Sequence, residues 1–145
     1  MNEELDKKIK NFVKYLFHLD EKCINSLPGK HYSCPCCNYP TLAERGAYHI
    51  CVLCFWEDDG QDEPFCEEIW NGPNGNYSLT QARNNFSEYL TYCSPEDKEL
   101  FEMNKEKDHL KICLIQKYEA LKTETNKEKI MKLECEIEKI KNKLY

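Results

Sequence analysis

No stretch of the 145-residue chain approaches the roughly 18 consecutive apolar residues of a membrane span, and its mean hydropathy is -0.77. A transmembrane helix is therefore not expected. Met1 to Asp6 is acidic where an export signal would be basic, so the expected compartment is the cytoplasm. Basic residues are scarce in the middle of the chain. Residues 31–103 carry three Lys/Arg against thirteen Asp/Glu, a segment charge of -10, whereas residues 1–30 and 104–145 carry +1 and +3. A nucleic-acid reader needs Lys and Arg to neutralise phosphates, and this segment offers chiefly Arg45 and Arg83. Its field should repel DNA and RNA. P-loop, HExxH, nucleophile-elbow and dinucleotide fingerprints are also missing, so none of the reaction classes they mark is indicated.

What the chain does have is cysteine. Ten are present, and without an export signal they read as thiols and metal ligands rather than as a disulfide framework. Two hooks stand out, Cys34-Pro35-Cys36-Cys37 and Cys51-Val52-Leu53-Cys54, with thirteen residues between them. Each Cys-x-x-Cys hook can present two thiolates to one ion, so Cys34, Cys37, Cys51 and Cys54 are the expected ligands of a structural Zn2+, tetrahedral and closed to chemistry. Pro35 fixes one dihedral of the first turn, and Asn38 tolerates the left-handed conformation such turns need. Phe55 and Trp56 follow the second hook and can cover the ion. Cys36 sits between two ligands and should point away as a packed thiol. A redox hook at Cys34 to Cys37 would want a helix starting there, and Asn38-Tyr39-Pro40 argues against it. His31 and His49 lie beside the hooks, but four cysteines already suffice.

The run from Cys34 to Leu42, then Glu44 to Tyr48, Ile50-Cys51 and Cys54 to Asp62, resembles the bacterial cysteine-rich CPCC family. The likeness continues through Gly72 to Gly75 and Ser78 to Phe86, covering about residues 31–89. Asn38 stands where the family usually has glycine and Val52 where it usually has proline; neither change removes a ligand. The resemblance implies a small zinc-ribbon-like module and carries over no catalytic residue.

The expected fold is small α+β: a zinc-ribbon-like β-hairpin module flanked by an N-terminal helix and a helical C-terminal tail. Residues 1–27 read as the first helix, with Leu5, Ile9, Phe12, Val13, Leu16 and Phe17 on one stripe and His18 near its end. Residues 28–90 read as the module with its following helix. Thr41 to Ile50 is expected to form two short strands meeting near Gly46. Ser78 with Gln81 is a capping box opening a helix to about Leu90, and Ser94-Pro95 signals another start. In the remainder, 91–145, Leu110, Leu114, Tyr118 and Leu121 form one seam, and Ile130, Leu133, Ile137, Ile140 and Leu144 another. Thr123 to Asn126 interrupts them, so the tail is either one long helix in a coiled coil or a hairpin of two, with Thr125 and Glu128 as a second capping box.

For function, the leading expectation is a non-enzymatic binding module with an acidic face at Trp56, Glu57, Asp58, Asp59, Asp62, Glu63 and Trp70, which would recognise a protein with a basic surface. An inhibitor, antitoxin or immunity-type role is its specific form, with a homodimer through the tail helices as a further partner. The alternative is a metal-dependent hydrolase using the Glu57 to Glu63 carboxylates. A nucleic-acid-associated ribbon comes third.

Overall fold

The computed structural model describes residues 31–145; the expected N-terminal helix and His18 lie outside the described residues. The described chain forms two units, 31–111 and 112–145. Four helices dominate: α1 (Leu79–Tyr89), α2 (Lys98–Lys105), α3 (Asp108–Thr123) and α4 (Lys127–Leu144). Strand structure among the described residues is limited to two isolated antiparallel bridges, Tyr32 with Leu42 and Ile50 with Glu57.

The β-hairpin expected over Thr41–Ile50 does not form, so the fold is mostly helical rather than a zinc ribbon. The reason is competition for backbone partners. Leu42 exchanges both main-chain bonds with Tyr32 (2.7 and 3.1 Å), and Tyr48 N–H and His49 C=O pair with Asp58 (2.9 and 3.0 Å). Each arm of the expected hairpin thus closes its own cysteine hook instead of meeting the other arm. Left-handed backbone at Gly46 (φ 67°) and Tyr48 (φ 61°) breaks the remaining extended run.

α1 begins as its sequence indicates. Ser78 Oγ accepts from Gln81 N–H (3.1 Å) and Gln81 Oε1 accepts from Ser78 N–H (2.8 Å), a complete capping box. Leu79 and Ala82 are buried, and Phe86 meets Tyr39 edge-on at 6.5 Å. Leu90 leaves the helix as a left-handed cap (φ 61°) whose N–H bonds Phe86 C=O.

α2 starts later than Ser94-Pro95 suggests, because Tyr77 takes both capping side chains. Its hydroxyl lies 3.2 Å from Ser94 Oγ, accepts from Ser94 N–H (3.0 Å) and donates to the Asp97 carboxylate. On α2, Met103 is exposed, whereas the polar Asn104 is buried and donates to Thr91 Oγ1 at 3.1 Å. Phe101 does pack, edge-on to Tyr89 at 5.4 Å.

The tail is two helices, with Lys117 paired to Glu136 across them at 2.7 Å. Their short connection makes a helical hairpin. The cap of α4 is Asn126 rather than Thr125: its side chain accepts from Glu128 and Lys129 N–H at 3.0 and 3.1 Å. Asn126→Ala should therefore cost about 1 kcal/mol, read as a lower denaturant midpoint with an unchanged slope. Leu114, Tyr118, Cys135, Ile137 and Leu144 are buried. No helix among the described residues is long and apolar enough to cross a membrane.

Candidate metal centre

The two hooks fold by one rule. In the first, Asn38 N–H bonds Cys34 C=O (2.8 Å) and Cys34 N–H bonds Tyr39 C=O (2.9 Å); in the second, Phe55 N–H bonds Cys51 C=O (2.9 Å) and Cys51 N–H bonds Trp56 C=O (2.9 Å). The residue after each second cysteine is left-handed, Asn38 at φ 65° and Phe55 at φ 66°. Asparagine adopts this region readily, phenylalanine does not. Phe55 is compensated by its ring, over which Lys111 Nζ sits at 4.8 Å from the centroid.

This geometry brings Cys34, Cys37, Cys51 and Cys54 together, all buried, with their sulfurs within 4.8 Å of one another. Cys34 to Cys54 and Cys37 to Cys51 are both 3.6 Å. A disulfide requires about 2.05 Å, whereas a tetrahedral thiolate site with metal–sulfur bonds of about 2.3 Å has its sulfurs roughly 3.8 Å apart. The cluster therefore has the dimensions of a four-thiolate metal site. Among the described residues it is the one group of three or more His, Cys, Asp or Glu side chains so placed. Cys36 is buried but lies outside the cluster, and so do His31, which is half-buried, and His49, which is exposed.

The electrostatics point the same way. Burial works to raise the Cys51 thiol, yet hydrogen bonds with the other three sulfurs, and then Cys54 N–H, outweigh it and hold Cys51 well below the ordinary thiol value. Cys54 moves the opposite way, raised well above it by burial and then by its neighbours' sulfurs. Cys37 also rises, chiefly through its bonds to Cys34 and Cys51. Left to itself the site favours charge on one sulfur and opposes it on the next, so full ionisation calls for a cation at the centre. Thr41 Oγ1 lies 3.0 Å from Cys51 Sγ, within hydrogen-bond reach of that sulfur.

The acidic run beside the second hook is wired into the fold. Asp58, expected on a surface face, is instead fully buried, its carboxylate accepting from Gly46 N–H (2.7 Å), Arg45 Nε (2.9 Å) and Gly60 N–H (3.2 Å). Trp56, expected beside it at the surface, is also fully buried and meets Tyr92 edge-on at 6.0 Å. Apolar bulk and the closing of the hook draw both inward. Arg45 reaches on to Asp62 (2.8 Å), and Arg83 joins Glu63 (2.8 Å) to Pro35 C=O (2.9 Å). The Arg45 bond, working against burial, and the Arg83 bond hold the Asp62 and Glu63 carboxyls respectively below their ordinary range. Both arginines of the segment are thus committed to folding it. Asp59 accepts from Gln61 N–H (3.0 Å), and Glu57 is gripped through its main chain by the buried Asn74 amide (2.9 and 2.7 Å). Trp70 is exposed and donates to Glu68 at 3.0 Å.

Sequence reading missed three buried polar groups that build the site: Asn74, Gln61 and Lys111. Gln61 Nε2 donates to Phe65 and Glu68 C=O (2.8 and 2.6 Å), which shapes the loop after the hook. Lys111 Nζ donates to Leu90 C=O at 2.8 Å and lies 3.9 Å from Asp108. A lysine on a charged helix gives no advance sign of this. Burial pulls the Lys111 ammonium down to about 8. The unfolded chain, titrating near 10.4, then binds more protons than the folded one between those two values, so this group's contribution to stability rises with pH across that window. Over the whole interval the gain is about 3 kcal/mol. Lys111→Met should flatten the rise in Tm between pH 8 and 10 measured with metal in excess; an unchanged slope would show that other groups cause it.

The class that this architecture defines is a small helical module built around a four-cysteine cluster that could hold a metal ion. The model of the family described as "Cysteine-rich CPCC" matches residues 32–109, more than half of the chain, and the chain belongs to that family. Searches of curated proteins and of solved structures gave no match. The family match runs past residue 89, where the visible motif resemblance ends. The segment added is bonded to the centre: Tyr92 N–H and Thr91 Oγ1 both reach Cys54 C=O, at 2.9 and 3.4 Å.

Proposed function

We propose that the four cysteines hold a structural zinc ion and that the protein is a non-enzymatic binding module, working in a thiol-reducing compartment such as the cytoplasm. The observation that carries this reading is the loop after the second hook. Phe65, Ile69 and Trp70 are 49, 47 and 42% exposed, on backbone held by Gln61 and flanked in the chain by Asp62, Glu63, Glu67 and Glu68. Aromatic anchors within a charged rim are the composition of a protein-binding patch. The partner this suits presents an apolar centre within a basic surface, and an inhibitor, antitoxin or immunity-type role is the form such a module would take.

Two other readings have less support. Four thiolates leave a tetrahedral ion no open position, and the carboxylates a hydrolase would use include Asp58 and Asp62, both engaged by Arg45. Nucleic acid would meet a segment whose two arginines are already paired. A homodimer through the tail has little to gain, since Leu114, Tyr118, Ile137 and Leu144 are buried within one chain. Replacing Ile69 by a photo-cross-linking residue in cells tests the proposal. The expected result is capture of a protein with a basic surface, lost at high salt and in the Phe65→Ala, Trp70→Ala double variant. Capture of RNA, or capture that the double variant leaves intact, would overturn it.

A further inference from the structure

A second site lies away from the cysteines. The turn before α1, one face of α1 and the segment leading into α2 line an open cleft of about 380 Å3, within the roughly 300–1,000 Å3 of small-ligand sites. Its walls carry amide, carboxylate and hydroxyl groups and no lysine, arginine or aliphatic side chain. An apolar ligand would find little beyond the Tyr77 ring to complement it, and an anion would face carboxylates without a cation.

We propose that this cleft receives a guanidinium or ammonium head group, from a polypeptide arginine or lysine or from a free polyamine. Gln81, Asn84 and Asn85 recur at three- and four-residue steps and so share the face of α1 that forms one wall. Two of these amides are oriented in advance. Gln81 Oε1 is taken by Ser78 N–H (2.8 Å), leaving its NH2 group, and Asn85 Nδ2 is taken by Tyr92 C=O (2.9 Å), leaving its oxygen as an acceptor. The opposite wall holds Glu96 and Asp97. Glu96 has no ion pair among the described residues, while Arg45 and Arg83 are committed to the acidic loop.

The start of α2 gives independent support. Ser94 and Asp97 are both strong helix-capping types, yet Asp97 makes no side-chain cap, and both side chains bond Tyr77 instead. A helix that forgoes its cap to hold a carboxylate at a cleft breaks a local rule, as functional sites do. Burial, and then the bond to Asp97, raise the Tyr77 phenol above its ordinary value. It stays a donor to that carboxylate. The cleft therefore offers a cation two carboxylates and the held amide oxygen of Asn85, and Gln81 NH2 can meet a carbonyl beside the charge. The site stands whether or not the Phe65–Trp70 loop binds a protein.

The test is a titration of the 15N-labelled full chain with N-acetyl-arginine methylamide, its neutral citrulline counterpart, spermidine and glucose. Saturable shifts at Gln81, Asn84 and Asn85 are expected with the cations and not with citrulline or glucose. Glu96→Gln, whose carboxylate bonds nothing else among the described residues, should weaken cation binding about tenfold, and Asn84→Leu should weaken it as well. Tighter binding of the arginine compound than of spermidine assigns the cleft to polypeptides, and the reverse order assigns it to polyamines. Citrulline or glucose binding as tightly as the cations, no saturable shift with any of them, or wild-type affinity in Glu96→Gln would overturn the proposal. Unchanged metal content and spectral dispersion of the variants would show that they fold.

Discussion

Cys51→Ser is expected to release the metal and unfold residues 31–111. Cys51 Sγ is the centre of the cluster's bonding: Cys37 Sγ lies 3.6 Å away, Thr41 Oγ1 3.0 Å, and Leu53 and Cys54 N–H 3.4 and 3.5 Å. Structural zinc contributes on the order of 10–16 kcal/mol of apparent binding energy in small domains, as much as or more than their whole net stability. Four of the buried side chains of this unit are the cluster's own cysteines, and Val52, Leu53 and Trp56 lie within or beside the second hook, so much of what holds the fold goes when the ion leaves. Elemental analysis should find no bound metal in the variant, and the emission of the buried Trp56 should shift red. Cys36→Ser, altering a thiol outside the cluster, should keep one equivalent. Retention of that equivalent by Cys51→Ser with native emission would remove the assignment.

Asp58→Asn should be the most damaging change outside the cysteines. The fully buried carboxylate accepts from the Gly46 and Gly60 main chain and from Arg45, and a carboxylate can satisfy all of these at once. An amide has one oxygen, so its NH2 group must confront one set of donors, and Arg45 loses its charge partner. Breaking a buried pair by removing one member costs about 3 kcal/mol or more. For a unit of this size that is a fall in Tm of roughly 10–20 °C with metal bound. Asp59→Asn provides the contrast, because Asp59 accepts one local bond from Gln61 N–H, and should shift Tm by no more than a few degrees. Equal effects of the two substitutions would show that Asp58 behaves as a solvated surface acid.

The difference between those two neighbours marks where local sequence stops being informative. Spacing alone placed Cys34, Cys37, Cys51 and Cys54 around one point, because a Cys-x-x-Cys turn is closed by its own backbone and needs no distant partner. The same holds for α1, whose Ser78 and Gln81 box is complete within four residues, and for the break between α3 and α4. Even there the cap moved from Thr125 to Asn126, a choice between adjacent residues that short-range chemistry leaves nearly level.

What only the tertiary structure decided depended on competition between distant groups. Thr41 to Ile50 alternates as a hairpin would, but Tyr32 and Asp58 offered its backbone better partners, and no strand pair formed. Asp58, Asp59 and Asp62 look alike in a row of acids. Which one is buried was settled by where Arg45 and the Gly46 turn come to lie, twelve or more residues away in the chain. Ser94 had the composition of a helix cap and lost that role to Tyr77, a residue seventeen positions earlier. Lys111 and Asn104 lie on helices whose charge and polarity suggested solvent, yet both are buried where unpaired oxygens of the Leu90–Thr91 turn needed donors. Sequence periodicity records which side chains avoid water; it does not record which polar groups will find each other once the chain has closed around its cysteines.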